Sequence, residues 1–199
     1  LSRGLGDVYK RQVENQTEEL LQRLRDGQID VAVLATPTGA TGVSEIPLYD
    51  ETFAVITTPD HPLAGRDDLD LNALKDLELL LLDDGHCLRD QIVELCKIAE
   101  VNRSPGAQSV TRAASLTTVV QLVVAGLGST LVPVSALSTE CARPGIAVAA
   151  FGPGVDAKRT VGLAMRASSR RRPEFEQLGE LVTRAFEEAT ESSRTLLPR

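Results

Sequence analysis

The 199 residues carry 21 Lys and Arg against 28 Asp and Glu, a net charge of −7, and 42% of them are hydrophobic. That balance excludes a domain that grips nucleic acid through a basic face, and no run of about eighteen uncharged apolar residues offers a membrane-spanning helix. Three cysteines make no disulfide scaffold and no export leader is visible, so the expected setting is the reducing cytoplasm, where a cysteine pair is read first as redox or metal chemistry.

Residues 1–12 (LSRGLGDVYKRQ) have no hydrophobic period and read as a leader of non-native appearance. Leu20, Leu21 and Leu24 then form a helical face that stops at Gly27, and Ile29–Leu34 reads as a short buried strand. A loop rich in Thr, Gly and Pro (Thr36–Gly42) leads to a strand at Phe53–Thr57 and to the turn Asp60-His61-Pro62. Asn72–Asp76 predicts a turn or two of helix. Glu78–Leu82 predicts a strand buried on both faces, and Asp83-Asp84-Gly85 turns it into a helix over His86–Glu100. A strand near Ser109–Val110 precedes a helix over Ser115–Ala125, and Gly126-Leu127-Gly128 turns that helix into a strand at Ser129–Pro133. Further strands are expected at Ile146–Ala150 and Thr160–Met165, and Pro173 opens a helix that runs to about Glu191. This alternation predicts α/β layers around a mainly parallel sheet. Such sheets bind ligands at the carboxyl ends of their strands.

Leu82-Asp83-Asp84-Gly85-His86-Cys87-Leu88-Arg89-Asp90 lies at such an end. With Asp84 as N-cap, Cys87 falls in the first helical turn, where unpaired N–H groups and the positive dipole end favour a thiolate. His86 and Arg89 add donors and positive charge, while Asp83, Asp84 and Asp90 oppose them. The competing reading is a small buried hydrophobe, the usual state of a free cysteine. Cys96 shares a helix face with Ile92 and Ala99 and is expected in the core. Nine residues rise about 13.5 Å and turn about 900°, which sets the two thiols on opposite faces, whereas a disulfide needs Cα atoms within about 7 Å. A pairing would therefore require the helix to unwind.

Other chemistries find less support. The spacing does not suit zinc, and no G-x-S-x-G elbow is present. Gly126-x-Gly128 ends a helix and lacks a third glycine, so it is a turn and not a dinucleotide site. His61 reads as a loop residue and Arg170-Arg171-Arg172 as a solvated face. Cys141 has no partner at a useful spacing and reads as structural or merely exposed.

The run LLLLDDGHCLRDQIVELC closely resembles the redox segment of the OxyR-type hydrogen-peroxide-sensing activators of the LysR family. The resemblance extends over nearly all of Val13–Glu188 and includes NQTEELLQRLRDGQIDVAVLA, IPLYDE, PDHPLA, ASLTTVVQLVVAGLGSTLVP and KRTVGLAMR. GHCLRDQ with a second cysteine nine residues on is its specific part. The resemblance implies a two-lobed sensor domain like a periplasmic binding protein of type 2, joined by two crossover strands. Lobe I would be 13–51 with 158–199, and lobe II 52–157. It implies that Cys87 is the peroxidatic cysteine and Cys96 the resolving one, bonded as a disulfide when oxidised. His86, Arg89 and Asp90 would surround the peroxide pocket, with Thr17 hydrogen-bonding peroxide or its water.

The family's winged helix-turn-helix has no counterpart here. Neither do the first strand and helix of lobe I, with their second pocket threonine, so an N-terminally truncated piece with an open sheet edge is expected. The implied partners are hydrogen peroxide, a homodimer or tetramer, a cellular thiol reductant, and DNA and RNA polymerase through the full-length protein. No cofactor, metal or membrane is implied, and the domain is expected to be a sensor and not an enzyme. Two alternatives stand beside it: a LysR-type domain binding a small organic effector between its lobes, and a thiol peroxidase that turns over.

Overall fold

A computed structural model describes residues 11–85, 87–100 and 112–198 of the chain. Helix α1 (Thr17–Arg25) places Glu18 and Glu19 in its first turn and Arg23 and Arg25 in its last, each sign against the favourable end of the helix dipole. Strand β1 (Val31–Thr36) follows, then β2 (Val43–Thr57), a 15-residue strand that organises the molecule. The first part of β2 pairs with β7 (Lys158–Arg166), from Val43 opposite Arg166 to Thr52 opposite Lys158, with an irregularity between Pro47 and Tyr49. Pro47 has no N–H to give the ladder. The last part of β2 pairs with β5 (Thr130–Pro133) on one edge and β6 (Ala147–Ala150) on the other.

Strand β7 lies between β1 and β2, so these two never touch as a ladder. Alternation divides its side chains between two layers. Ala164 joins Leu21, Leu24, Ala32 and Leu34 under α1. Leu163 and Met165 join Phe175 of α4 (Arg172–Arg194) on the opposite face. A larger core gathers buried residues from Phe53 to Ala157, with Ile92, Leu95 and Cys96 of α2 (Cys87–Ile98) and Val119, Val120 and Val123 of α3 (Leu116–Val124) among them. Leu196 and Leu197, just beyond α4, also pack against it.

The expected mainly parallel sheet is corrected: β1–β7, β2–β7, β2–β5 and β2–β6 are all antiparallel. Among the described residues, parallel pairing is confined to β3 (Leu81–Leu82) on β4 (Arg112–Ala113) and to single bridges at Leu69–Phe151 and Leu79–Ser129. A run of apolar residues reports burial on both faces, not the direction in which the chain arrives. For the same reason Glu78–Leu82 is shorter as a strand than its pattern suggests, although Leu79 to Leu82 are all buried. Ser115 caps α3 by accepting the Thr118 N–H at 3.2 Å. The strand expected near Ser109–Val110 lies outside the described residues. Among the described residues no helix is long and apolar enough to cross a membrane.

Candidate redox site at the start of helix α2

Strand β3 delivers the chain to the site. Asp83 donates its N–H to the Ala113 carbonyl at 3.0 Å, which fixes where the ladder ends. The turn Asp84-Gly85 follows, with Gly85 at φ 91, a conformation strained for any L side chain. A Cβ at Gly85 would also stand 2.5 Å from Oε1 of Gln16, the residue that precedes α1. Gln16 Nε2 in turn donates to the Asp84 carbonyl at 3.1 Å. The start of α1, with the half-buried Thr17 as its first residue, is thereby docked on the turn that leads into Cys87.

Cys87 is the first residue of α2 and is partly buried. The helix starts later than an Asp84 N-cap would have it, and the Asp84 carboxylate instead meets Arg89 Nη2 at 2.6 Å. Arg89 Nη1 reaches Asp90 at 3.3 Å, so one guanidinium, 21% exposed, spans both carboxylates. Its Nε is buried with no hydrogen-bond partner among the described residues. The expected contest between Arg89 and the acids around Cys87 is thus an ion-paired cluster. His86 lies outside the described residues.

Cys96 is buried beside Ile92 and Ala99, as its spacing suggested. No bond joins it to Cys87, and the unbroken helix between them sets the two about 13.5 Å apart along its axis.

One group of side chains was not legible in the sequence. Gln91, one turn beyond Cys87 and on the same face, accepts a hydrogen bond from Arg159 Nη1 at 3.3 Å. Arg159 Nε and Nη2 meet Glu51 Oε2 at 2.6 and 2.5 Å. The Glu51 side chain is only 4% exposed and Arg159 only 18%. Ser135 donates to the other carboxylate oxygen of Glu51, and the guanidinium lies 5.9 Å from the centroid of the Phe53 ring. Glu51 and Arg159 face each other across the β2–β7 ladder, a register no local pattern reveals.

The remaining candidates lie apart from this group. Cys141 is buried, and burial first, then the Glu140 charge, pushes its thiol up to about 11. His61 Nδ1 accepts the Leu63 N–H at 3.1 Å within its own turn. Arg171 pairs with Glu174 and Asp30, and Arg172 with Glu176, the solvated face that the composition suggested. Among the described residues no three His, Cys, Asp or Glu side chains gather as metal ligands.

The chain is similar to known proteins. Residues 11–187 match the LysR substrate binding domain. The chain is 43% identical over 92% of its length to a probable hydrogen peroxide-inducible genes activator of Mycobacterium leprae, of which it covers 57%. It is 38% identical over 85% of its length to the DNA-binding transcriptional dual regulator OxyR of Escherichia coli K12, of which it covers 54%. It therefore spans about half the length of these relatives. Among solved structures, it is 58% identical to Corynebacterium glutamicum OxyR and covers 92% of its own length in each of two forms. The TM-score is 0.88 against an H2O2-bound mutant and 0.78 against the oxidized form, with 57% and 56% of those chains covered. The reduced OxyR regulatory domain of Pseudomonas aeruginosa matches at 35% identity and a TM-score of 0.72, over 86% of this chain and 78% of that one.

Proposed function

Because the chain belongs to the LysR substrate-binding domain family, we propose that it is the peroxide-sensing regulatory domain of a LysR-type transcription activator, switched by a disulfide between Cys87 and Cys96. The observation that carries this is the placement of Cys87 on the first turn of α2, with Cys96 buried nine residues along the same helix. Unpaired N–H groups at a helix start favour negative charge. The names of the relatives support the same stimulus.

The chemistry is stoichiometric. The Cys87 sulfur attacks one peroxide oxygen, the O–O bond breaks, and one water leaves as Cys87 becomes a sulfenic acid. The Cys96 sulfur then attacks the Cys87 sulfur, the S–O bond breaks, and a second water leaves with the new S–S bond. Two thiols have lost two electrons and one peroxide has gained them. A cellular thiol reductant returns them. Thr17, His86, Arg89 and Asp90 line the pocket in this reading.

Lobe I comprises 13–51 and 158–199, and lobe II 52–157. The oxidised segment between the cysteines repacks the contact between copies in a dimer or tetramer, and DNA and RNA polymerase respond through the rest of a longer, cytoplasmic protein.

The test is mass spectrometry of thiols after a brief, near-stoichiometric peroxide pulse. One Cys87–Cys96 disulfide per chain is expected. Cys87→Ser should abolish peroxide consumption, and Cys96→Ser should leave a sulfenic acid on Cys87 that a dimedone probe captures. Prior oxidation of Cys96 or Cys141 in the intact chain overturns the assignment, and repeated turnover with a reductant marks a peroxidase instead.

A further inference from the structure

We propose that helix α2 is tied to the C-terminal end of α4 by one chain of polar contacts, Gln91–Arg159–Glu51–Ser135–Ser193, and that oxidation at Cys87 loosens its α4 end. This relay rests on the Cys87–Cys96 switch proposed above, because Gln91 lies inside the segment that the disulfide must unwind.

The first links are those at the site. Gln91 Oε1 accepts from Arg159 Nη1 at 3.3 Å, Arg159 holds Glu51 Oε2, and Ser135 donates to Glu51 Oε1. The next link leaves the site through the main chain. The carbonyl of Ser135 accepts from Ser193 Oγ at 3.3 Å, and Ser193 Oγ accepts the Ser138 N–H at 3.1 Å. Ser193, near the end of α4, has no exposed surface, so its hydroxyl has these partners in place of water. Glu51 and Ser193 are buried and Gln91, Arg159 and Ser135 are partly buried, and polar groups shielded from water respond strongly to the loss of a neighbour.

The route also crosses the molecule. Phe175 near the start of α4 packs on the sheet of β1, β7 and β2, while Leu196 and Leu197 beyond its end pack on the larger core with α2 and α3. When α2 unwinds, Arg159 loses the Gln91 acceptor and its guanidinium is free to shift on Glu51. The carboxylate that anchors Ser135 then moves with it.

Hydrogen exchange of the whole chain reads both ends at once, in peptides covering 88–95, 134–141 and 190–197. In the reduced protein, Gln91→Met should speed exchange over 134–141 by about three- to ten-fold, the range expected for one lost hydrogen bond. Ser193→Ala should do the same there while leaving 88–95 as it was. Peroxide treatment of the wild type should deprotect 88–95 and 134–141 together, and should add nothing over 134–141 in Gln91→Met. Unchanged exchange over 134–141 in reduced Gln91→Met overturns the relay whether or not the disulfide forms. So does a wild-type chain that carries the disulfide, has lost protection over 88–95 and keeps it over 134–141. Absence of the disulfide alongside a clear Gln91→Met effect counts against the switch and for the contact chain.

Discussion

Two cysteines of this chain hold the same functional group in unlike surroundings. Cys141 is buried and its thiol is raised from an ordinary 9.0 to about 11, whereas Cys87 opens a helix and is partly exposed. In the folded chain iodoacetamide at pH 8 should modify Cys87 readily and leave Cys141 untouched, and in urea both should react, as peptide mapping would report. The same burial has a consequence for stability. A folded thiol that holds its proton more tightly than the unfolded one stabilises the fold below pH 9, and that contribution is lost as pH rises from about 9 towards 11. The loss is on the order of 2 kcal/mol. Denaturation midpoints measured across that window should fall less steeply for Cys141→Val than for the parent chain. The pairs of Arg89 with Asp84 and Asp90 were legible because these residues are close in sequence. Glu51 and Arg159 were not, because 108 residues separate them and only the β2–β7 register sets them face to face.

Helix α2 and a bond between its cysteines exclude each other. The helix sets Cys87 and Cys96 about 13.5 Å apart along its axis, against the roughly 7 Å between Cα atoms that a disulfide tolerates. Closing a loop of about ten residues is worth some 2–3 kcal/mol on the chain-entropy model. That is comparable to the packing that would be lost if Cys96 and its apolar neighbours left the core, so in the proposed switch the energy for the change would come from peroxide reduction. Amide protection over Leu88–Leu95 should fall on oxidation and return with reductant; full protection in a chain carrying the bond would defeat the switch. A second prediction concerns the junction of β5 with the Glu78–Leu80 segment. Gly128 has φ 147, and a Cβ there would overlap the Glu78 carbonyl oxygen that accepts the Ser129 N–H at 2.8 Å. Gly128→Ala should cost roughly 2 kcal/mol or more in urea unfolding. The helices α1, α3 and α4 were legible because amphipathic spacing and end signals are local. Strand direction was not, because it depends on which end of a sheet the chain returns to.

At the scale of the whole molecule, β2 runs from the ladder with β7 into the ladders with β5 and β6, and the buried Glu51–Arg159 pair locks β2 and β7 side by side. Removing one partner leaves the other charge buried. Glu51→Ala should therefore lower the stability read by chemical denaturation by about 3–5 kcal/mol, and the double replacement Glu51→Leu with Arg159→Met should recover much of that loss. Equal stability in Glu51→Ala would mean that water reaches the site. The strand order β1-β7-β2 also sets a timetable during synthesis. The middle strand of this ladder is made long after its two neighbours. When β1 leaves the ribosome its partner is still unwritten, and at 5–20 residues per second the wait from Thr36 to Arg166 is on the order of ten seconds. For that interval the backbone of β1 lacks its ladder partner, and the Ala32 and Leu34 side chains lack Ala164. The nascent chain thus meets its period of greatest risk of misassociation before the last third of the domain exists, and a chaperone that binds short apolar strands would find its substrate there.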